Sequence, residues 1–354
     1  MSFSFPPPRG AGGVLWRVLM GGPAFLFQGM ARVREAAYAR GIFETVRVPV
    51  PVFCVGNLTV GGSGKTPGVV WLLEELKKRG HRPAVVSRGY GRRDRTPVVL
   101  VPNRGETVPG VEKIGDEPRF LARRSGVSVA VGSDRAQACR RAWEEFDVDC
   151  LVMDDGFQHH RMFRDRDLVC LDAKLASSVF LEEWPTPLLP AGPWREKPEA
   201  LKRAHGIFLT RAEGLSTDRL GALQAHLRGR GLASVAVKGR LTFWENLTGK
   251  EIPSVQLQNQ RLLALSGLGD PASFESALVR FGASVQGQRY GDHHVFSSRE
   301  CAGVLERARR EERRVVVTEK DRERLPELFP AIVARLEWEC LEEGWNPWIE
   351  SVFS

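Results

Sequence analysis

Apolar and polar residues alternate along this chain in blocks that predict strands and helices in turn. An apolar run at 48–55, VPVPVFCV, predicts a buried strand. A helix is predicted over 68–78, because apolar residues recur there three to four positions apart and Gly80 is placed to end it. A glycine-rich segment, 56–67, separates the two elements. A strand, a glycine-rich turn and a helix in this order indicate a phosphate-binding loop.

The alternation continues towards the middle of the chain. A helix is predicted over 134–146, starting at Ser133-Asp134. Further strands are predicted at 83–87, 127–131, 150–153, 168–171 and 206–210. Strands that alternate with helices predict an α/β protein with a parallel sheet covered on both faces. Functional loops are then expected at the C-terminal ends of the strands.

The pattern changes near residue 240. Extended segments at 233–237 and 241–244 flank a polar Lys-Gly-Arg sequence, and a second α/β unit follows. That unit is predicted to contain strands at 262–265 and 315–318 and helices at 272–281 and 298–312. The chain has 354 residues, which exceeds one typical domain of roughly 150. We therefore predict a P-loop NTPase-type parallel sheet domain followed by a second, smaller α/β domain.

The composition and net charge of the chain indicate which kinds of molecule it can bind. A hydrophobic fraction of 42% supports a packed core. The net charge of +8 favours an anionic partner such as a nucleotide, a phosphorylated substrate, nucleic acid or an acidic membrane surface. The arginines are scattered and form no basic stripe interleaved with aromatic residues, so we expect no nucleic-acid partner. The six cysteines form no C-x-x-C pair, which is typical of reduced core thiols.

The N-terminal segment combines arginines with a short apolar run. Residues 1–47 contain six arginines against two acidic residues, and VLMGGPAFLF at 18–27 lies between Arg17 and Arg32. This run is too short to span a bilayer, which needs about 20 residues. An apolar run flanked by arginine is typical of a segment lying in a membrane interface. A helix packed on the core fits this segment equally well.

The phosphate loop carries its own chemistry. Its backbone N–H groups are predicted to surround an anion at Gly61, Gly62, Ser63 and Gly64. Lys65 would reach the outer phosphates, and the Thr66 hydroxyl would bind Mg²⁺. The strict motif has glycine where this chain has Thr59. A chance Gly-Lys-Thr is the alternative, but the order of strand, loop and helix favours nucleoside triphosphate binding.

Three acidic residues and a histidine are the candidates for binding Mg²⁺ and for accepting a proton. Asp154 and Asp155 follow an apolar strand, which is the position of a Mg²⁺-binding carboxylate beside a phosphate loop. Transfer of a phosphoryl group to a hydroxyl also needs a proton acceptor. Asp116 in a Gly-Asp-Glu-Pro turn and His293 after Asp292 are the candidates. Asp116 could equally be a helix cap, and spacing along the chain does not bring the two together.

This chain lacks the motifs that mark two other classes of phosphate-loop protein, the GTPases and the transport ATPases. The chain has no Asn-Lys-x-Asp for guanine and no Leu-Ser-Gly-Gly signature of a transport ATPase.

Seven motifs, in order between about residue 14 and residue 325, resemble the tetraacyldisaccharide 4′-kinase family. They are residues 56–67 (GNLTVGGSGKTP), 87–92 (SRGYGR), 115–118 (GDEP), 154–159 (DDGFQH), 192–196 (GPWRE), 292–293 (DH) and 318–321 (TEKD). Each motif alone is unspecific, but all of them in this order are highly specific. The family also shows the departure at Thr59.

The resemblance implies an activity and a set of roles. The γ-phosphate of ATP would be transferred, with Mg²⁺, to the 4′-hydroxyl of an acylated disaccharide 1-phosphate lipid, giving lipid IVA. Asp116 and His293 would be the acid–base pair beside Lys65, with Asp116 nearest the acceptor hydroxyl. The metal would be held by Thr66, Asp154, Asp155 and Glu196. Weaker expectations for substrate or nucleotide contacts are Arg88, Tyr90, Arg92, Gln158, His159 and Arg195.

The resemblance also implies an organisation. The expected parts are a membrane-associating helical segment at 1–40, the kinase core at 41–235, a two-stranded linker at 236–247 and the smaller domain at 248–354. The family's membrane-attached helix favours the interfacial interpretation of the N-terminal segment. We expect a peripheral protein on the cytoplasmic face of the inner membrane, with no obligatory protein partner. A membrane-associated nucleotide switch or a scaffold remains the alternative, and neither would need Asp116 or His293.

Overall fold

A computed structural model describes residues 11–103, 107–341, 350 and 353. Its helices are α1 Ala11–Ala39, α2 Lys65–Lys78, α3 Val111–Ile114, α4 Asp116–Ser125, α5 Arg135–Glu145, α6 Ala173–Leu181, α7 Thr217–Arg228, α8 Pro271–Val279, α9 Ser298–Arg310 and α10 Glu319–Arg322. Its strands are β1 Val52–Asn57, β2 Pro83–Ser87, β3 Val98–Val101, β4 Ser128–Gly132, β5 Cys150–Asp154, β6 Arg166–Asp172, β7 Gly206–Thr210, β8 Ser234–Glu245, β9 Glu251–Ile252, β10 Arg261–Ser266, β11 Ser284–Arg289, β12 Arg314–Thr318 and β13 Ile332–Cys340.

These strands form one continuous sheet in the order β11-β10-β12-β13-β8-β7-β6-β1-β5-β2-β4-β3, with β9 paired to β8. The pairs β3–β4, β8–β13 and β8–β9 are antiparallel, and the others are parallel. The predicted fold class is confirmed. The sheet reverses direction at the β8–β13 pair, so the parallel strands share one direction only within each unit. In the first unit, the carboxyl ends of these strands line one edge, where the phosphate loop and the segments after β2 and β5 lie.

Both faces of the sheet are buried in each unit. Along β1, Cys54 packs into one hydrophobic cluster while Phe53 and Val55 pack into the cluster on the opposite face. In the second unit, alternate residues of β10 likewise belong to two clusters. Helix α2 buries four apolar side chains completely, each contributing about 1.5–3 kcal/mol: Val69, Leu72, Leu73 and Leu76. This packing fixes the helix that follows the phosphate loop.

Two strands connect the units. β8 leaves the first unit and β13 returns from the second, paired antiparallel from Val237↔Cys340 to Glu245↔Ile332. The sequence suggested two extended segments around 238–240, whereas the structure has one uninterrupted strand. Continuous pairing with β13 spans the polar residues, because side chains on an exposed ribbon need not be apolar. The domain limits 41–235, 236–247 and 248–354 stay predictions, and 342–349, 351–352 and 354 lie outside the described residues.

Strand β1 also begins later than its apolar pattern suggested. The expected strand started at Val48, but ladder pairing starts at Val52. Pro49 and Pro51 lack the N–H that a central strand donates, so the chain cannot join the ladder before them. The strand then continues to Asn57, two residues beyond the predicted end, and delivers the chain directly into the phosphate loop.

The predicted N-terminal helix is present as α1, although residues 1–10 of that segment lie outside the described part. In the described helices, none combines the length and apolar character needed to cross a membrane. Several large apolar side chains of α1 are nevertheless exposed: Phe25, Leu26, Met30 and Val33. Near its C-terminal end, the helix is tied to the first unit by the ion pair between Glu35 and Arg203.

Candidate active site

The phosphate loop connects β1 to α2 and is shaped from within by Asn57. The buried amide of Asn57 donates to the Thr59 carbonyl and to Ser63 Oγ, both at 2.6 Å. Ser63 is further held from β7, where Thr210 Oγ1 donates to its carbonyl at 3.2 Å. The loop therefore keeps its curve through hydrogen bonds to the backbone carbonyls of Thr59 and Ser63 and to Ser63 Oγ, none of which depends on the side chain at position 59.

Two glycines in this region meet specific demands. Gly64 ends the loop with φ +83°, in the left-handed region that glycine adopts without strain. A Cβ on Gly56 would lie 2.5 Å from Phe157 Cβ, so only glycine lets the start of the loop pass beneath the segment that follows β5. Loop and β5 segment are thus packed against each other.

Two carboxylates project from the end of β5 towards this loop. Asp155 has φ +53° and its Oδ1 accepts from Arg195 Nη1 at 2.8 Å. Lys65 Nζ lies 3.8 Å from Asp155 Oδ2. Burial would raise the pKa of Asp155, but the charges of Lys65 and Arg195 outweigh it and lower the pKa below its usual range. Asp155 is therefore an ionised carboxylate beside the loop lysine.

Asp154 has the opposite electrostatic setting. It is buried, and its Oδ2 accepts from Ser87 Oγ at 3.2 Å. Burial first, then the charges of Glu117 and Asp155, raise the pKa of this carboxyl. Crowded carboxylates in a low-dielectric site favour a divalent cation, because the cation removes their mutual repulsion. Thr66, Asp154 and Asp155 offer the hard oxygen ligands that Mg²⁺ prefers, so this donor set fits the metal.

The GPWRE segment lies alongside the phosphate loop. Val60 N donates to the Pro193 carbonyl at 2.8 Å, and Arg195 N donates to the Leu58 carbonyl at 2.7 Å. This short antiparallel pairing aims the Arg195 side chain at Asp155. Glu196, the neighbouring residue, instead pairs with Arg203 at 2.6 Å.

The two proton-acceptor candidates meet across the junction of the two units. His293 Nδ1 lies 2.8 Å from Asp116 Oδ2, although the residues are 177 positions apart. Asp116 is the first residue of α4, and its Oδ1 accepts from the Glu117 N–H at 3.0 Å. Tyr90 flanks the histidine with its ring 5.6 Å away. His294 contacts Glu300 at 3.1 Å instead, so the structure selects His293 as the partner of Asp116.

The contact shifts both groups towards an ion pair. Burial would raise the pKa of Asp116, but the hydrogen bond and charge of His293, with Arg324 and Lys320, lower it. The hydrogen bond from His293 to Asp116 is the main cause that raises the pKa of the imidazole, with burial opposing it. A carboxylate held ionised beside a histidine is the arrangement expected of an acid–base pair.

The phosphate loop and His293 share one cleft of about 870 Å³. The predicted residues that line it are Gly61, Lys65, Arg88, Tyr90, Asp154, Asp155, Gln158, Arg195, Glu196 and His293. Asp116 lies behind His293 and is buried. The structure thus brings most of the predicted site to one place.

Two of the weaker expectations point elsewhere. Arg92 donates to the carbonyls of Val131 and Thr96, at 3.3 and 2.8 Å, away from the cleft. The His159 ring is partly buried, and burial lowers its pKa to about 4. Its neighbour His160 faces the cleft in its place.

Arg135 is a cleft residue that the sequence analysis missed. It is the first residue of α5, and burial together with the nearby charge of Arg88 lowers its pKa. Its Nε has no hydrogen-bond partner within the described residues. Its position just after the predicted strand at 127–131 and the helix start at Asp134 was the available signal, because such ends carry functional groups.

Another group of potential metal ligands lies outside this cleft. Among the described residues, one atom each of His81, Asp149 and Cys150 lie within 4.8 Å of one another. They sit at the beginnings of β2 and β5, at the edge of the sheet opposite Asp154. The Asp149 carboxylate already accepts from the Arg82 N–H at 2.9 Å. This group is separate from the phosphate-loop site.

Comparison with known proteins agrees with this geometry. A model of the family described as tetraacyldisaccharide-1-P 4′-kinase matches residues 16–352. The tetraacyldisaccharide 4′-kinase of Anaeromyxobacter dehalogenans (strain 2CP-C) is 40% identical over 338 residues, covering 93% of this chain and 85% of the relative. The enzyme of Aeromonas salmonicida (strain A449) is 35% identical over 309 residues, covering 86% and 83%.

A solved structure resembles this one over nearly its whole length. The crystal structure of LpxK from Aquifex aeolicus in complex with ATP is 27% identical, with a TM-score of 0.74. The match covers 96% of this chain and 99% of that one. Family model, relatives and fold agree from the N-terminal helix to the second unit, and the chain belongs to the tetraacyldisaccharide 4′-kinase family.

Proposed function

We propose that this protein transfers the γ-phosphate of ATP to the 4′-hydroxyl of an acylated glucosamine disaccharide 1-phosphate, with Mg²⁺. The observation that carries the proposal is the cleft that Lys65 and His293 line together, with His293 in contact with Asp116 at 2.8 Å. A nucleotide switch or a scaffold has no need of such a pair. Phosphoryl transfer to an alcohol needs a phosphate cradle and a proton acceptor in one place.

The residues divide the work. The loop N–H groups and Lys65 hold the β- and γ-phosphates and offset their charge. A bound Mg²⁺ would neutralise further phosphate charge, with Thr66, Asp154 and Asp155 as its ligands. The acceptor oxygen bonds to the γ-phosphorus while the bond to the β–γ bridging oxygen breaks, and ADP leaves. Asp116 takes the hydroxyl proton, and the hydrogen bond from His293 keeps that carboxylate oriented and ionised.

A transfer assay tests this proposal. Purified protein is incubated with Mg²⁺, radiolabelled ATP and the tetraacyldisaccharide 1-phosphate in detergent micelles, and lipids are separated by thin-layer chromatography. We expect a labelled lipid product with the natural acceptor and none with an analogue that lacks the 4′-hydroxyl. Release of labelled inorganic phosphate without any labelled lipid would contradict the assignment and favour a nucleotide switch.

We further propose that α1 lies in the interface of the cytoplasmic leaflet of the inner membrane and presents the lipid to the cleft. Its apolar side chains Phe25 and Leu26 are 75% and 67% exposed. The same helix borders the cleft through Gln28, Ala31 and Glu35. An apolar face that begins where the cleft opens lets a lipid keep its acyl chains in the membrane while its sugar enters the site.

The helix face can be tested without removing the helix. Replacing Phe25, Leu26, Met30 and Val33 by glutamine should reduce binding to anionic phospholipid vesicles by at least about tenfold, since each loses part of the 1.5–3 kcal/mol of a buried apolar side chain. Binding is measured by co-sedimentation. Leu328→Gln is the matched control, because Leu328 is 83% exposed but lies in the second unit. Equal binding by the two variants would favour a helix that serves only the fold.

A further inference from the structure

A buried polar network lies directly behind His293, and it is built by the TEKD motif. Asp321 of that motif is fully buried. Its Oδ2 accepts from Thr318 Oγ1 at 2.6 Å, and its Oδ1 accepts from the Gly267 N–H at 2.8 Å. Asp321 therefore ties the end of β12 to the turn that follows β10.

Arg324 completes the network. Its side chain is 2% exposed, and its Nη2 donates to Asp321 Oδ1 at 2.8 Å. Its Nη1 donates to the Gly267 carbonyl at 3.1 Å, and the same carbonyl accepts from the His293 N–H at 3.2 Å. One carbonyl thus joins the arginine to the backbone of the histidine. Arg324 Nε also lies 3.7 Å from Asp116 Oδ2.

The backbone of His293 needs such support. Its φ of +59° lies in the left-handed region, which is uncommon for a residue with a side chain and persists where the surroundings hold it. The turn is also tightly packed, because a Cβ on Gly267 would lie 3.0 Å from the Gly291 carbonyl and 3.2 Å from Arg324 Nη1. The positions of Arg324, of the turn at Gly267 and of the His293 backbone therefore depend on one another.

We propose that Arg324, held by Asp321, is a positioning residue for the reaction: it fixes the turn that carries His293 and places a positive charge beside Asp116. Arg324 touches no substrate in this role and acts through the pair. The inference rests on the proposed roles of Asp116 and His293. It gives the TEKD motif a function in the kinase, as the part of the second unit that sets the geometry of the acid–base pair.

The charge of Arg324 should affect the pH dependence of the activity, which an arginine with a purely structural role would leave unchanged. The charged groups around Asp116 are His293, Arg324 and Lys320, and those around His293 are Asp116, Asp292 and Arg324. Arg324 lowers the pKa of both members of the pair. Its removal should raise the pKa of Asp116, and activity that needs the ionised carboxylate then begins at a higher pH.

The experiment compares three variants in the full-length protein. Arg324→Met removes the charge and the fork of hydrogen bonds, and Arg324→Lys keeps the charge without the fork. Arg322→Met is the matched control, because Arg322 lies two residues before Arg324 and its side chain is 14% exposed. It donates to Asn246 and Glu327, away from the pair. The pH dependence of kcat and of kcat/KM is measured for each, with the KM for ATP.

We expect Arg324→Met to lower kcat on the order of 100-fold, the scale of a misplaced catalytic group, with the KM for ATP within about twofold. The acidic limb of its pH profile should move to higher pH, whereas Arg324→Lys should keep the wild-type limb with a lowered kcat. If Arg324→Met fails to fold because Asp321 is left unpaired, the double variant with Asp321→Asn removes both charges and is measured instead.

The result can separate this inference from the proposed function. An unchanged acidic limb in Arg324→Met, or in the double variant, together with an inactive Asp116→Ala, would overturn the role of Arg324 alone. Activity losses equal to those of Arg322→Met would do the same. Full activity of Asp116→Ala would instead remove the acid–base pair on which the inference rests.

Discussion

The phosphate loop and the His293–Asp116 pair meet at one cleft, which Lys65 and His293 line, but they are assembled in different ways. The loop is shaped largely by its own segment: Asn57 bonds to Thr59 and Ser63 within six positions. The pair joins residues 177 positions apart, one on α4 and one on a turn of the second unit. The hydrogen bonds that shape the loop all lie within the first unit, whereas the pair exists only when the two units are docked.

Because of this difference, the loop and the pair should be sensitive to different kinds of substitution. The Lys65 side chain takes no part in the hydrogen bonds that shape the loop, so a substitution of Lys65 should act through charge rather than through shape. A pair built across a junction depends on everything that holds the junction, so changes far from the cleft can reach it. Substitutions in each region should therefore produce distinct combinations of kinetic and stability effects.

The largest effect is expected at the loop. Lys65→Ala should reduce transfer by about 10³-fold or more, because it removes the positive charge that offsets the outer phosphates. The melting temperature should stay close to that of the wild type, since the Lys65 side chain contributes one ion pair at 3.8 Å. Transfer assays and thermal melts check both. The control is Lys78→Ala at the other end of α2, where the side chain is 71% exposed; near-normal turnover by Lys65→Ala would overturn the kinase assignment.

The next effect concerns the pair. Asp116→Ala and His293→Ala should each lower kcat by about 10²–10⁴-fold and leave the affinity for ATP largely intact. Since the two groups act as a unit, the double variant should be little worse than the worse single one. Steady-state kinetics measure all three, with His294→Ala as a control that contacts Glu300 instead. Losses that multiply in the double variant would show independent roles.

The smallest effect is expected at the rim of the junction. Arg123 of α4 pairs with Glu327 of the second unit at 2.6 Å, but the two side chains are 29% and 57% exposed. Such pairs contribute about 0.2–1 kcal/mol, so Arg123→Ala should change the free energy of unfolding by less than that and kcat by less than about twofold. Arg141→Ala, in an exposed pair within the first unit, is the control for chemical denaturation. A large loss of kcat would mean that the rim, rather than the buried network, sets the docking.

The local parts of this site could be predicted from sequence. The strand, loop and helix around Lys65 form through contacts between near neighbours, and Asp134 caps α5 where the pattern placed a helix start. Glycine at 80 likewise adopts φ +85° at the end of α2. Periodicity and turn residues encode such features directly, because they depend on the dihedral angles and apolar faces of short segments.

The parts that required the structure are those set by tertiary packing. Asp116 and His293 could be identified as candidates from their residue types, and the family resemblance implied that they form a pair. Their spacing along the sequence does not predict the contact between them. Strand β11, SVQGQR, was missed because only Val285 marks its pattern as apolar. Arg135 was missed because an arginine at a helix start looks like any solvated residue until burial and its neighbours are known.

Strand β13 packs against the helix that follows the phosphate loop, so the loop region depends on a strand that is synthesised much later. Its Trp338 ring packs against α2, where a Cβ on Gly68 would lie 2.8 Å from the indole, and against Phe208 at 4.7 Å between rings. The helix behind the loop therefore rests on a side chain that is synthesised long after the helix itself. A chain stopped before residue 332 also leaves β8 and β12 without the strand between them, and such open edges invite pairing with other chains. Forms of the chain in which β13 is not yet inserted are thus at risk of aggregation.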